Sequence, residues 1–414
     1  MKPLNLITLK LTERNLLKNR ILSIIVLFVI ALFVLWFLCP AIAGIFSASD
    51  GHNQFDGENS ATPSYSAPPT PSPTPVTPEP KPLYTYYSIK ENKPDHDLSI
   101  HVLELDPSNP ELLVRPVSSH NNYLFGYAFL SEMSDAWQAN AAVNAGFSHS
   151  NGLLGGLYVI DGELYTPATG RYPALFLKDG KAFIKDAKTN IRVEGDGVVL
   201  DDLFYNKYSE ENGLYVFTPS YGTKNRIKKS HLNAYVSNGE VRGLILRSES
   251  YEIPKDGFLI SAIGKEARAR LEKLVKTGMR LELTYDVVIE GEIASGHDWG
   301  YECGSWILRD YEIVAPDSDG WVGTLRNRVP RTAVGVREDG TMVFIVVDGR
   351  QKGLSDGMTI RELGQKLLEL GVKDAANLDG GASSEMIIEG EIVNSPSAGR
   401  ERMVACGFII KRKQ

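Results

Sequence analysis

Met342-Val343-Phe344-Ile345-Val346-Val347-Asp348-Gly349-Arg350 and, further on, Ala375-Ala376-Asn377-Leu378-Asp379-Gly380-Gly381-Ala382-Ser383-Ser384 decide how this chain is read. Each is an apolar run bounded by turn residues, the pattern of a strand covered on both faces, although periodicity alone also admits a buried helix. Each ends in aspartate followed by glycine, which sets a carboxylate at a sheet edge where the backbone turns. Working outward, Thr332 to Val336 and Met342 to Val347 flank Arg337-Glu338-Asp339-Gly340-Thr341, a hairpin connection with a strong Asp-Gly turn. Thr359 with Glu362 forms a capping box, Leu363, Leu367, Leu368 and Leu370 supply an apolar face, and Gly371 stands where a left-handed residue ends a helix. The unit is hairpin, loop, helix, strand and glycine-rich loop. It predicts Asp348, Arg350 and Asp379 on one side of one sheet.

The chain has 414 residues, 43% of them hydrophobic, enough to bury a large core. A net charge of -7 argues against nucleic acid as a partner. Basic charge gathers at one end: Lys2, Lys10, Arg14, Lys18 and Arg20 face Glu13 alone within residues 1–20. From Ile21 to Ser49 no residue is charged, and the apolar part is about long enough to cross a bilayer as a helix. Residues 21–46 are therefore expected to be a membrane anchor, with residues 1–20 cytoplasmic and the body outside the cell membrane. A cleaved signal peptide is the competing reading, since Ala41-Ile42-Ala43 has the small-x-small form of a cleavage site. Residues 47–83, with Pro63, Pro68, Pro69, Pro71, Pro73, Pro75, Pro78, Pro80 and Pro82 among Ser and Thr, are expected to be a disordered, extended linker.

Residues 84–414 read as one large α+β domain, with mixed, strand-rich sheets flanked by a few helices. Strands are expected at Leu98 to Leu105 and Glu111 to Val117, and helices at Phe129 to Ala139 and Gly264 to Thr277. Cys303 and Cys406 are expected to be buried thiols, with a bridge between them as the alternative.

The seven histidines show no clustered zinc spacing, and no P-loop or G-x-S-x-G elbow is present. No cofactor is called for; whether a metal takes part stays open. What remains is a set of carboxylates, arginines, an asparagine and glycine-rich loops. A carboxylate can stabilise an oxocarbenium-like centre, act as nucleophile or activate water. Arginine presents a planar fork to phosphate oxygens, and glycine loops bring backbone N–H groups to the same oxygens. The set suits glycoside chemistry on an anionic substrate.

With these residues in hand, the chain resembles the phosphodiester glycosidase family over roughly residues 98–410. The resemblance rests on Val143-Asn144-Ala145-Gly146-Phe147, Pro330-Arg331-Thr332-Ala333-Val334-Gly335, Val347-Asp348-Gly349-Arg350-Gln351, Asn377 to Ser384, and the trailing Glu401-Arg402. It implies removal of a sugar, typically N-acetylglucosamine, from a sugar-1-phosphodiester. Asp379 and Asp348 are the expected catalytic residues. Arg331, Arg350, Asn144, Gly146, Gly380, Gly381, Ser383 and Ser384 are expected at the substrate, with His149 as a possible acid or base. The expected partners are a cell-surface glycopolymer and, through residues 21–46, the membrane. A non-catalytic glycopolymer-binding or exopolysaccharide-assembly module is the alternative from another class.

Overall fold

Met342–Val347 forms the expected strand, and all its residues are buried. Its neighbours explain why. In a seven-stranded sheet it lies between Asp97–Leu105 and Arg331–Val336, and Asp374–Asn377 pairs with the far side of Arg331–Val336. Val343, Ile345 and Val347 pack with Ile360, Leu363 and Leu367 of the helix Ile360–Glu369 on one face. Met342, Phe344 and Val346 pack on the other face with Phe408 and Ile410, the Phe344 and Phe408 rings lying 5.1 Å apart. Those last two residues belong to a five-stranded sheet built from Glu391–Ile392, Met386–Ile388, Ala141–Asn144, Cys406–Arg412 and Leu112–Ser118. A strand clamped between a helix and a second sheet has no polar side, hence its unbroken apolar run.

The computed structural model describes residues 82–120, 124–294 and 296–413. The expected anchor at 21–46 and most of the linker at 47–83 lie outside the described residues. Among the described residues no helix is long and apolar enough to cross a membrane. Leu83 is already buried in the main core.

The helices Leu130–Trp137, Lys265–Leu274 and Ile360–Glu369 fall where the sequence places them. The last carries its capping box in full: Glu362 N–H donates to the Thr359 hydroxyl at 3.2 Å, and Thr359 N–H donates back to the Glu362 carboxylate at 2.8 Å. Gly371 has a φ of 74°, the left-handed stop expected of it. A second core joins an eight-stranded sheet to another five-stranded sheet and to Leu271 and Val275 at the end of the helix Lys265–Leu274.

The expectation of mixed sheets is met in one sheet. A parallel pair occurs between Leu203–Tyr205 and Gly213–Phe217, whereas the two sheets that carry the candidate site pair antiparallel throughout. The helix Ile360–Glu369 does cross between two strands of like direction, Met342–Val347 and Asp374–Asn377. Arg331–Val336 is inserted between them, so each contact is antiparallel. This insertion brings the start of one strand and the ends of two others to a common edge.

Candidate active site

Register assembles the edge. Arg331 lies opposite Val347 and Ala333 opposite Asn377, so Asp348 and Asp379 emerge on either side of Arg331. Leu378 N–H then bonds Thr332 O at 2.9 Å, and Gly381 N–H bonds Pro330 O at 2.9 Å. The side chains do not all converge, because successive residues of a strand point to opposite faces. Arg331 shares the face of Ala333, toward the helix Ile360–Glu369, whereas Asp348 shares the face of Val346, toward the second sheet. The single cluster expected from sequence divides into distinct environments.

Asp348 is buried, and its carboxylate is fully occupied. Ser99 Oγ donates to Oδ2 at 2.9 Å and His101 Nε2 lies 3.3 Å from it. Asn394 Nδ2 donates to Oδ1 at 3.1 Å and Ser395 N–H at 2.8 Å. Arg331 is also buried. Its Nε donates to Met358 O at 2.9 Å and its Nη2 to Leu325 O at 3.1 Å and Asn327 O at 2.9 Å. Burial pulls its guanidinium down to about 10, with Asp319 opposing that and Arg350 adding to it. Asn144 is a cross-brace: Nδ2 donates to Asp379 O at 2.6 Å, and Oδ1 accepts from Thr332 Oγ1 at 2.8 Å and Glu385 N–H at 3.0 Å.

Asp379 has a different setting. It is half-buried in the loop after Asp374–Asn377, held by its own N–H on Ala145 O at 3.0 Å. Burial pushes its carboxyl above the ordinary 3.8, while the Ser383 hydroxyl, the charge of Arg402 and the Gly380 N–H pull it back. Beside it, Cys406 Sγ lies 2.8 Å from the Tyr301 hydroxyl, which accepts Gly146 N–H at 2.9 Å. Arg350 is exposed on the other flank. A side chain on Gly381 would stand 3.5 Å from its guanidinium, and the φ of 63° at Gly381 favours glycine in any case. Several N–H groups of the glycine loop are already spent: Gly381 on Pro330 O, Ser383 on Gly380 O at 3.2 Å and Ser384 on Gly381 O at 3.3 Å. The exposed guanidinium groups near this loop are those of Arg350 and Arg402.

Sequence reasoning singled out neither Glu385 nor Glu302 as a site residue. Glu385 is buried; burial and then the hydrogen bond and charge of Glu401 push its carboxyl up to about 9. It keeps its proton at neutral pH. Glu401 in turn accepts Ser131 N–H at 2.8 Å and Ser131 Oγ at 2.7 Å. Glu302, also buried, is pushed up to about 7 by burial, against the Thr169 hydroxyl and the Thr169 and Leu157 N–H groups that it accepts. The available signal was a lone carboxylate in an apolar run, Ser384-Glu385-Met386-Ile387 and Trp299-Gly300-Tyr301-Glu302-Cys303. His149 lies in a cavity wall, where its ring meets Trp321 at 5.8 Å. Cys303 and Cys406 are both buried free thiols.

The model of the family described as phosphodiester glycosidase matches residues 235–411, the stretch that carries Arg331, Arg350, Asp379 and Arg402. Over that stretch the chain is similar to the phosphodiester glycosidase family. Among curated relatives, the SPbeta prophage-derived uncharacterized protein YomE of Bacillus subtilis (strain 168) is 31% identical over 210 residues, covering 48% of this chain and 31% of that protein. The N-acetylglucosamine-1-phosphodiester alpha-N-acetylglucosaminidase of Bos taurus is 29% identical over 110 residues, covering 26% of this chain and 20% of the enzyme. The chain thus spans a third or less of the length of these two relatives. A solved structure of a hypothetical protein from Synechocystis shares the fold with a TM-score of 0.70 at 19% identity, over 80% of this chain and 62% of that one.

Proposed function

We propose that this phosphodiester glycosidase-type protein is a hydrolase that cuts the bond between a sugar's anomeric carbon and a phosphate oxygen. The observation that carries the reading is the setting of Asp379. It is a carboxylate in a glycine-rich loop, raised by burial and drawn back by the charge of exposed Arg402, with the exposed guanidinium of Arg350 against Gly381 of the same loop. Arg350 and Arg402 hold the phosphodiester, with Ser383 and Ser384 beside it, while Gly146 and the loop glycines Gly380 and Gly381 border the sugar. Water attacks the anomeric carbon as the bond to phosphate oxygen breaks. The bonding pair leaves with the phosphate monoester, and the water proton passes to Asp379. The departing group has a second pKa of about 6, so it leaves without a strong general acid. Arg331, Asp348 and Asn144 hold the strand ends in place through hydrogen bonds that occupy most of their polar atoms.

The substrate we infer is a cell-surface glycopolymer containing sugar-1-phosphodiester links, reached by an exported domain tethered through residues 21–46. What supports this location is the order of a basic, an apolar and a proline-rich segment in residues 1–83.

Turnover of an N-acetylglucosamine-1-phosphodiester tests the assignment. Asp379→Asn is expected to lower kcat by about 10²–10⁴, the usual worth of a positioned acid or base, with an unchanged circular dichroism spectrum. In the active protein kcat/KM rises with pH as Asp379 ionises, with its inflection above the ordinary carboxylate value. Full activity in Asp379→Asn, or tight binding without any release by the unaltered chain, overturns it. The second outcome favours a glycopolymer-binding module.

A further inference from the structure

A cavity of about 620 Å³ is walled in part by Trp321, whose ring stacks on Phe147. Its volume falls within the few hundred to a thousand cubic ångströms typical of small-molecule sites. Its wall includes Trp321, Tyr172, His149, Arg171 and Lys207, and no aspartate or glutamate lines it although the chain carries a net charge of -7. Trp321 is held in place deliberately. Its ring stacks on Phe147 at 5.4 Å with 6° between planes, and a Cβ on Gly155 would come within 2.1 Å of it. The Asp319 carboxylate accepts Trp321 N–H at 2.9 Å and Ser305 Oγ at 3.0 Å, which ties this wall to the strand end that leads to Asp379.

Two features of the cavity point to a ligand. The guanidinium of Arg171 is exposed and has neither a hydrogen-bond nor an ion-pair partner among the described residues. Among the described residues Lys207 pairs with exposed Glu211, at 3.3 Å, and stands 4.1 Å above the Phe204 ring. Glu302 lies behind Gly156 and Thr169, which line the cavity; its oxygens are turned to the Thr169 and Leu157 N–H groups.

We propose that this cavity binds a second sugar phosphate unit of the substrate polymer, the sugar against Trp321 and Tyr172 and the phosphate on Arg171 and Lys207. An aromatic wall matches the apolar C–H face of a sugar ring. The unpartnered guanidinium of Arg171, on a wall that holds no aspartate or glutamate, selects the anionic group. Phe147, which stacks on Trp321, directly follows Gly146, so one backbone segment joins the cavity wall to a residue placed at the sugar. The inference rests on the hydrolase reading for its choice of ligand.

The test uses the full chain carrying Asp379→Asn, with N-acetylglucosamine 6-phosphate as probe and N-acetylglucosamine and inorganic phosphate as controls, measured by equilibrium dialysis. The sugar phosphate is expected to bind more tightly than either control. Arg171→Ala, at an exposed position that leaves the fold alone, is expected to weaken it by at least about tenfold, the loss of one charge-assisted hydrogen bond. Trp321→Ala removes the aromatic face offered to the sugar, and is expected to weaken binding as well. Equal binding of phosphate and sugar phosphate, or unchanged affinity in both variants, overturns the inference. In the catalytically intact chain, Arg171→Ala leaves kcat on a single sugar-1-phosphodiester unchanged and raises KM only for a substrate extended by one sugar phosphate. If the intact chain releases nothing while Arg171→Ala still weakens probe binding, the hydrolase reading fails and the cavity assignment stands.

Discussion

Asp348 and Asp379 show how one dipeptide, Asp-Gly at the end of an apolar strand, acquires two meanings. The Asp348 carboxylate meets partners from Ser99, His101, Asn394 and Ser395, residues distant in sequence, and is consumed by them. Asp348→Asn replaces an acceptor oxygen with a donor facing those groups. We expect a loss of about 2–3 kcal/mol in denaturant unfolding, as for a buried polar group left without its partner. Glu385 behaves in the opposite sense. Its carboxyl in the fold is raised from 4.5 to about 9, so its stabilising contribution is complete below the unfolded value and is lost as pH rises through the folded one. Glu385→Gln mimics the protonated acid at every pH. It is expected to match the unaltered protein in thermal melts at about pH 4 and to melt higher at about pH 9, where the unaltered protein has begun to bury a charge. A lower melting temperature for the variant at both pH values contradicts the assignment.

At the scale of elements, the parts legible in sequence are those settled by near neighbours. The hairpin around Asp339-Gly340, the helix start at Thr359 and its stop at Gly371 each depend on residues within a few positions, and each is found. Thr359→Ala removes an acceptor for Glu362 N–H and should cost about 1 kcal/mol, read as a lower melting temperature; no change would mean that tertiary packing alone sets this helix start. The facing of Arg331 was not legible, because it depends on which residue of Met342–Val347 stands opposite it. With Arg331 paired to Val347, the face of Asp348 is already taken away from it. The burial of Glu302 and Glu385 is likewise made by chain segments far away in sequence.

For the whole molecule, an inserted antiparallel strand gathers three strand ends at one edge. The face of the seven-stranded sheet toward the second sheet supplies Asp348 as a brace, and the glycine loop beyond the edge carries Asp379 outward. Asn144 of the second sheet bonds the Asp379 backbone and Thr332, so both sheets fix the position of Asp379. A glycosidase and a phosphodiesterase built on such an edge would differ in which bond they open. Hydrolysis of an N-acetylglucosamine-1-phosphodiester in ¹⁸O-labelled water, followed by mass spectrometry of both products, reads that bond directly. The heavy oxygen is expected on the sugar's anomeric hydroxyl and not on the phosphate. Label found on the phosphate product would place cleavage at the phosphorus–oxygen bond and contradict the role given to Asp379.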